Sequence, residues 1–126
     1  MLLPELAWNP VDFLQVLEVV PEEGEYGTAY HYDLERRGIR LQLSVFPLDR
    51  DVFIKMFCGQ QEAPVVNLRL IDVPAARVVD EKLGQYIEFA GAKAFAGRYD
   101  ETSAPAYGFR LWVVPFVQIE PFAYPS

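Results

Sequence analysis

Few side chains in this sequence could carry covalent chemistry. There is one histidine, His31, one cysteine, Cys58, and serines at 44, 103 and 126. Nucleophilic catalysis needs a hydroxyl or thiol beside a base, usually an imidazole, with a third group orienting the base. His31 falls inside an alternating run, on the face opposite Tyr30 and Tyr32. No serine sits in the strand–turn–helix setting of a nucleophile elbow. Cys58 ends an apolar run beside Gly59, where a thiol serves as a small core residue. A site on His31 therefore requires a hydroxyl or thiol from another strand within reach of the ring. The sequence assigns no catalytic residue, and the expectation is that the chain is not an enzyme.

Metal chemistry fares no better. One Cys and one His are too few for a zinc site. Loop carboxylates such as Asp49-x-Asp51 and Asp100-Glu101 could take calcium. Arg50 already supplies a cation between the first pair, and neither loop has EF-hand spacing. Both read as solvated turn acids. Asp33 and Glu35 share a strand face, and Glu88 and Glu120 occupy strand positions. General acid–base work needs two carboxyls across a groove, one with a raised pKa. Acids at alternate strand positions are ordinarily a solvent face. No metal and no cofactor is expected.

Aromatic residues offer binding chemistry instead. Trp8, Tyr26, Tyr30, Tyr32, Trp112, Phe116, Phe122 and Tyr124 are spread along the chain. They would either fill a core or make a flat platform for a carbohydrate or other small molecule. The last apolar run is the most telling. Phe109, Leu111 and Val113 form one set; between and after them stand Arg110, Trp112, Val114 and, past Pro115, Phe116. A strand with one solvated face carries polar residues at the alternate positions, and Trp112 and Val114 depart from that rule. Either the N-terminal segment, with Trp8, Phe13 and Leu14, folds over this face, or the patch is an association surface for a protein partner or a second copy. The candidate interaction residues are Trp112, Val114, Phe116 and Trp8.

The elements that position these residues are strands. Ile39, Leu41, Leu43 and Val45 alternate with Arg40, Gln42 and Ser44, a period of two. Runs over 52–58 and 65–71 follow after short polar breaks, so the three make an antiparallel meander. Ala29 to Arg36 precedes them, joined by an Arg37-Gly38 turn. Arg77 to Asp80 and Gln85 to Ala90 form a later pair, and Gly91 to Pro105 reads as a long irregular loop. Tyr107 to Glu120 reads as one long strand interrupted at Pro115, at an edge or a bulge. Near the N-terminus, Asn9-Pro10 starts a helical turn, with a strand from Leu14 to Val20 after it. The fold class is all-β and mainly antiparallel: a single-domain β-sandwich spanning 1–126, with about seven or eight strands. A closed barrel fits the same periodicity.

Composition bounds the partners. A chain of 126 residues, 52% hydrophobic, can bury a core without disulfide or metal. The net charge of −7 disfavours nucleic acid, whose phosphates are bound by clustered Lys and Arg. A basic protein partner, or plain solubility, suits it better. One cysteine cannot form an internal disulfide, which points to the cytoplasm. The first residues lack the basic and apolar regions of a signal peptide, and no apolar run approaches a membrane span. The expected function is non-catalytic, through protein–protein contacts; the alternative is a carbohydrate- or small-molecule-binding module.

Overall fold

The computed structural model describes residues 5–90, 107–114 and 116–123. Among these residues it is an all-β sandwich of two antiparallel sheets with one short α-helix, and no barrel closes. The strands are β1 (Glu22–Glu23), β2 (Tyr30–Arg36), β3 (Ile39–Phe46), β4 (Asp51–Cys58), β5 (Val66–Leu70), β6 (Ala75–Glu81), β7 (Gly84–Ala90), β8 (Tyr107–Val114) and β9 (Gln118–Ala123). Sheet one runs β1-β2-β3-β4-β5 and sheet two runs β6-β7-β8-β9. Each is a meander in which sequence neighbours pair.

The central meander forms as its alternation dictates. Leu41 stands between Leu34 and Met56, and Leu43 between Tyr32 and Ile54. The β2–β3 hairpin closes on Arg37 and Gly38, both at positive φ (52° and 83°). A two-residue loop with both residues left-handed matches the twist of the strands it joins. Val66 and Leu68 of β5 are only half buried, because β5 ends the sheet order.

Two expectations are corrected. The segment after Pro10 is a helix, α1 (Pro10–Leu17), and not a turn followed by a strand. The Asn9 side chain accepts from the Val11 and Asp12 amides at 2.9 and 3.4 Å, satisfying donors that a first helical turn leaves open. Phe13, Val16 and Leu17 face inward at helical spacing, while Leu14 and Val20 are exposed. Glu18 ends the helix in the left-handed region at φ 58°, and Arg36 donates to the Leu17 carbonyl at 2.9 Å. The long final strand is in fact two. β8 and β9 pair with each other, Trp112 opposite Gln118 and Leu111 opposite Ile119, so the chain reverses between the two strands instead of running on as one. The Gly91–Pro105 loop lies outside the described residues.

The N-terminal segment stitches the sheets together. Leu6 donates to the Pro47 carbonyl at the end of sheet one (2.9 Å), and Ala7 bonds Pro74 and Ala76 beside β6 (3.0 and 2.9 Å). Phe13 then enters the interior against Tyr32 of one sheet and Phe89 of the other. In sheet two, Phe122 packs over Gly108, where a Cβ would come within 2.7 Å of its ring and of the Phe89 carbonyl.

Tyr32 gives the core a pH dependence. Burial pushes its phenol up from 10.0 to about 12, with Tyr30 and Glu23 adding to the rise. A folded-state pKa above the unfolded one gives stability that is complete below about pH 10 and lost as pH rises through about 12. Thermal melts should therefore be level up to about pH 10 and fall beyond it. Tyr32→Phe, which cannot ionise, should show the shallower fall; equal slopes would remove Tyr32 as the cause.

Candidate functional site

The outer face of sheet one carries His31. Its Nδ1 lies 2.8 Å from Ser44 Oγ across the β2–β3 pair, so the hydroxyl a catalytic reading requires is present. Among the described residues no carboxylate hydrogen-bonds the ring. Asp33, the neighbouring carboxylate, holds Arg40 through both oxygens (3.0 and 2.6 Å) and accepts from Gln42 at 3.4 Å. The Arg40 hydrogen bond holds the Asp33 carboxyl below its ordinary range. The pair is solvent-exposed, so its effect on stability is slight. The hollow here, about 460 Å³, is polar and lined by Glu22, His31, Asp33, Gln42 and Ser44. Phe46 meets the imidazole edge-on at 5.8 Å. An exposed His–Ser hydrogen bond in a polar hollow can bind a polar group.

The outer face of sheet two is organised differently. Strand pairing places Arg77, Glu88, Arg110 and Glu120 in one row across β6, β7, β8 and β9. The signs alternate. Arg77 donates to Glu88 Oε1 at 3.3 Å, and Arg110 reaches Glu88 Oε2 at 3.5 Å and Glu120 Oε1 at 3.2 Å. Arg110 also lies over Phe122 (4.4 Å) and Tyr86 (5.5 Å). The next row holds Val79, Tyr86, Trp112 and Gln118. Tyr86 donates to Glu81 at 3.1 Å, and its phenol is pushed up by burial first and this hydrogen bond second. Tyr86 and Trp112 are 4.5 Å apart but tilted by 45°. With Arg110 against Tyr86, the rings do not form the coplanar platform a sugar would stack on.

Glu88 is the pivot of the row, with its side chain only 8% exposed against 73% for Arg77 and 34% for Arg110. Removing one member of a buried pair leaves a buried charge unmatched. Here both arginines retain water, so Glu88→Ala should cost about 1–3 kcal/mol, below the range for a wholly buried pair. Urea unfolding decides this, and a loss under about 0.5 kcal/mol would show that the row is ordinary surface charge.

Of the sequence candidates, Trp112 and Phe116 come together. With Leu83, Gln118 and Glu120 they line a mainly apolar hollow of about 430 Å³. Leu83 is 80% and Phe116 47% exposed. Trp112 is half buried, and its Nε1 meets no acceptor among the described residues. Val114 pairs with Gln85 through the backbone register; its side chain lies outside the described ones. Trp8 stands apart, stacked edge-on against Phe13 (4.8 Å) and Tyr30 (5.0 Å). The described part of the N-terminal segment packs elsewhere, with Trp8 on Tyr30 and Phe13 in the interior. Phe13 packs on Phe89, on the inner side of β7, because its helical stripe can bury only between the sheets.

Sequence reasoning missed Leu83, Tyr86 and Gln118. Tyr86 had a signal, since it alternates with the inward Ile87 and Phe89 just as Trp112 does with Leu111 and Val113. The charge row had none, because it exists only in the strand register. Among the described residues no group of three His, Cys, Asp or Glu could hold a metal. Asp51 is paired to Arg69 at 3.2 Å, and Asp100–Glu101 lies outside those residues. No described helix is long and apolar enough to cross a membrane.

No family model and no curated protein matches this chain. Among solved structures it is similar to a chain of a contact-dependent growth inhibition toxin–immunity protein complex from Klebsiella pneumoniae 342. The TM-score is 0.74 at 14% identity, over 94% of this chain and 97% of that one. Likeness at this identity is a likeness of fold.

Proposed function

We propose that the chain is a non-catalytic protein-binding sandwich that acts as the immunity-type partner of a toxin. The observation that carries the reading is the match along nearly the whole of both chains to a component of a toxin–immunity protein complex. Charge supports it: a net −7 suits a basic partner and speeds encounter with one. The side-chain inventory supports a binding role over a catalytic one, since the His31–Ser44 hydrogen bond has no orienting residue among the described residues. A lone cysteine, Cys58, fits work in a reducing compartment.

The test is capture from the native host with the tagged chain, followed by expression of the captured protein. The expected result is a basic partner that forms a one-to-one complex by light scattering, arrests growth when expressed alone, and is tolerated when this chain is co-expressed. A captured protein that is harmless alone, or whose toxicity this chain does not relieve, overturns the immunity reading.

A further inference from the structure

We propose that the β9 edge of sheet two takes an arginine or lysine side chain of a basic protein partner, seated against Trp112 and Phe116 and paired to Glu120. This rests on the reading that the chain binds a protein, and it names where and by what chemistry.

The argument is charge complementarity set by register. The row Arg77, Glu88, Arg110, Glu120 alternates in sign and stops on a carboxylate at the last strand of the sheet. Arg110 engages Oε1 of Glu120; no described residue engages Oε2. The next member of the alternation is a cation from outside the sheet. Beside Glu120 the hollow supplies the aromatic surface of Trp112 and Phe116 and the amide of Gln118. Arg110 already shows the preference of this face, its guanidinium lying over Tyr86 and Phe122 while bonded to carboxylates. The hollow repeats that set of groups with no Lys or Arg among the described residues of its lining. Cations are held over aromatic faces by the ring quadrupole, most strongly where water is thinned. The partner approaches by side chain and not by adding a strand, because Pro121 in β9 deprives this edge of a donor.

The experiment uses acetyl-Gly-Arg-Gly-amide, its lysine and norleucine counterparts, and two-dimensional NMR of the full chain. Trp8→Phe identifies the Trp112 indole signal. Saturable movement of that signal with the arginine or lysine peptide is expected, with norleucine much weaker. Glu120→Gln, which keeps an acceptor for Arg110 at a half-buried position, and Phe116→Ala, at an exposed one, should each weaken the arginine peptide roughly tenfold while leaving the melt nearly unchanged. Equal binding of norleucine overturns the proposal, since the hollow is then merely apolar. So does a Trp112 signal that moves with protein concentration alone, which would place a second copy on this face. So do shifts spread over the acidic surface that ignore Glu120→Gln. The same variants are then measured against the partner captured from the host. A complex indifferent to both overturns this site and leaves the binding reading standing. Failure to capture any partner counts against the binding reading alone, and the peptide titration still decides the site.

Discussion

Phe13→Ala is expected to cost about 3–5 kcal/mol of folding stability, the range for truncating a buried aromatic. Phe13 is fully buried and meets the N-terminal segment and both sheets. Its ring meets Trp8 at 4.8 Å, Tyr32 of sheet one at 6.2 Å and Phe89 of sheet two at 6.4 Å. The loss therefore combines transfer energy, a cavity between two sheets that cannot both close on it, and edge-to-face contacts worth about 0.5–1.5 kcal/mol each. Leu14→Ala is the control. In α1 it is exposed, and it should cost less than about 1 kcal/mol. Had the segment been the strand that its valines suggest, Leu14 would share an inward face with Val16 and the control would fail. Midpoints in urea at constant slope separate the two outcomes.

That contrast shows what was legible in the sequence and what was not. The start of α1 is written in Asn9-Pro10, because one residue caps and the other fits the first helical position. Its body is not, since Val16, with Val19 and Val20 just beyond the helix, favours strand in isolation and only burial of Phe13, Val16 and Leu17 decides for helix. The central meander was legible because alternation and short polar breaks leave an antiparallel hairpin chain as the economical solution. The β8–β9 reversal was hidden, because inward residues continue at 113, 117 and 119 on either side of it and imitate one unbroken strand. For the candidate site, the misplaced aromatic Trp112 was visible as a break in alternation. The charge row across β6 to β9 was not. Its members are 10 to 22 positions apart, and nothing local distinguishes Glu88 or Glu120 from a solvated strand acid until the register sets them beside arginines.

Leu43→Ala should be nearly as damaging as Phe13→Ala, at about 2–5 kcal/mol, whereas Leu68→Ala should cost only about 1–2 kcal/mol. Alternation alone places both leucines on the inward face of sheet one and cannot rank them. Position in the sheet does. Leu43 is in β3, the middle strand, fully buried, and its cross-strand neighbours are Tyr32 and Ile54. Truncating it opens a space bounded by strands on both sides and by the opposite sheet, where collapse is limited and the cavity contribution persists. Leu68 is in β5, the last strand of the sheet, and is only half buried. Water already reaches part of its side chain, so less transfer energy is at stake and water replaces part of what is removed. Paired urea titrations of the two variants test this ranking. Equal losses would mean that β5 is covered as fully as β3, and the edge assigned to sheet one would have to be given up.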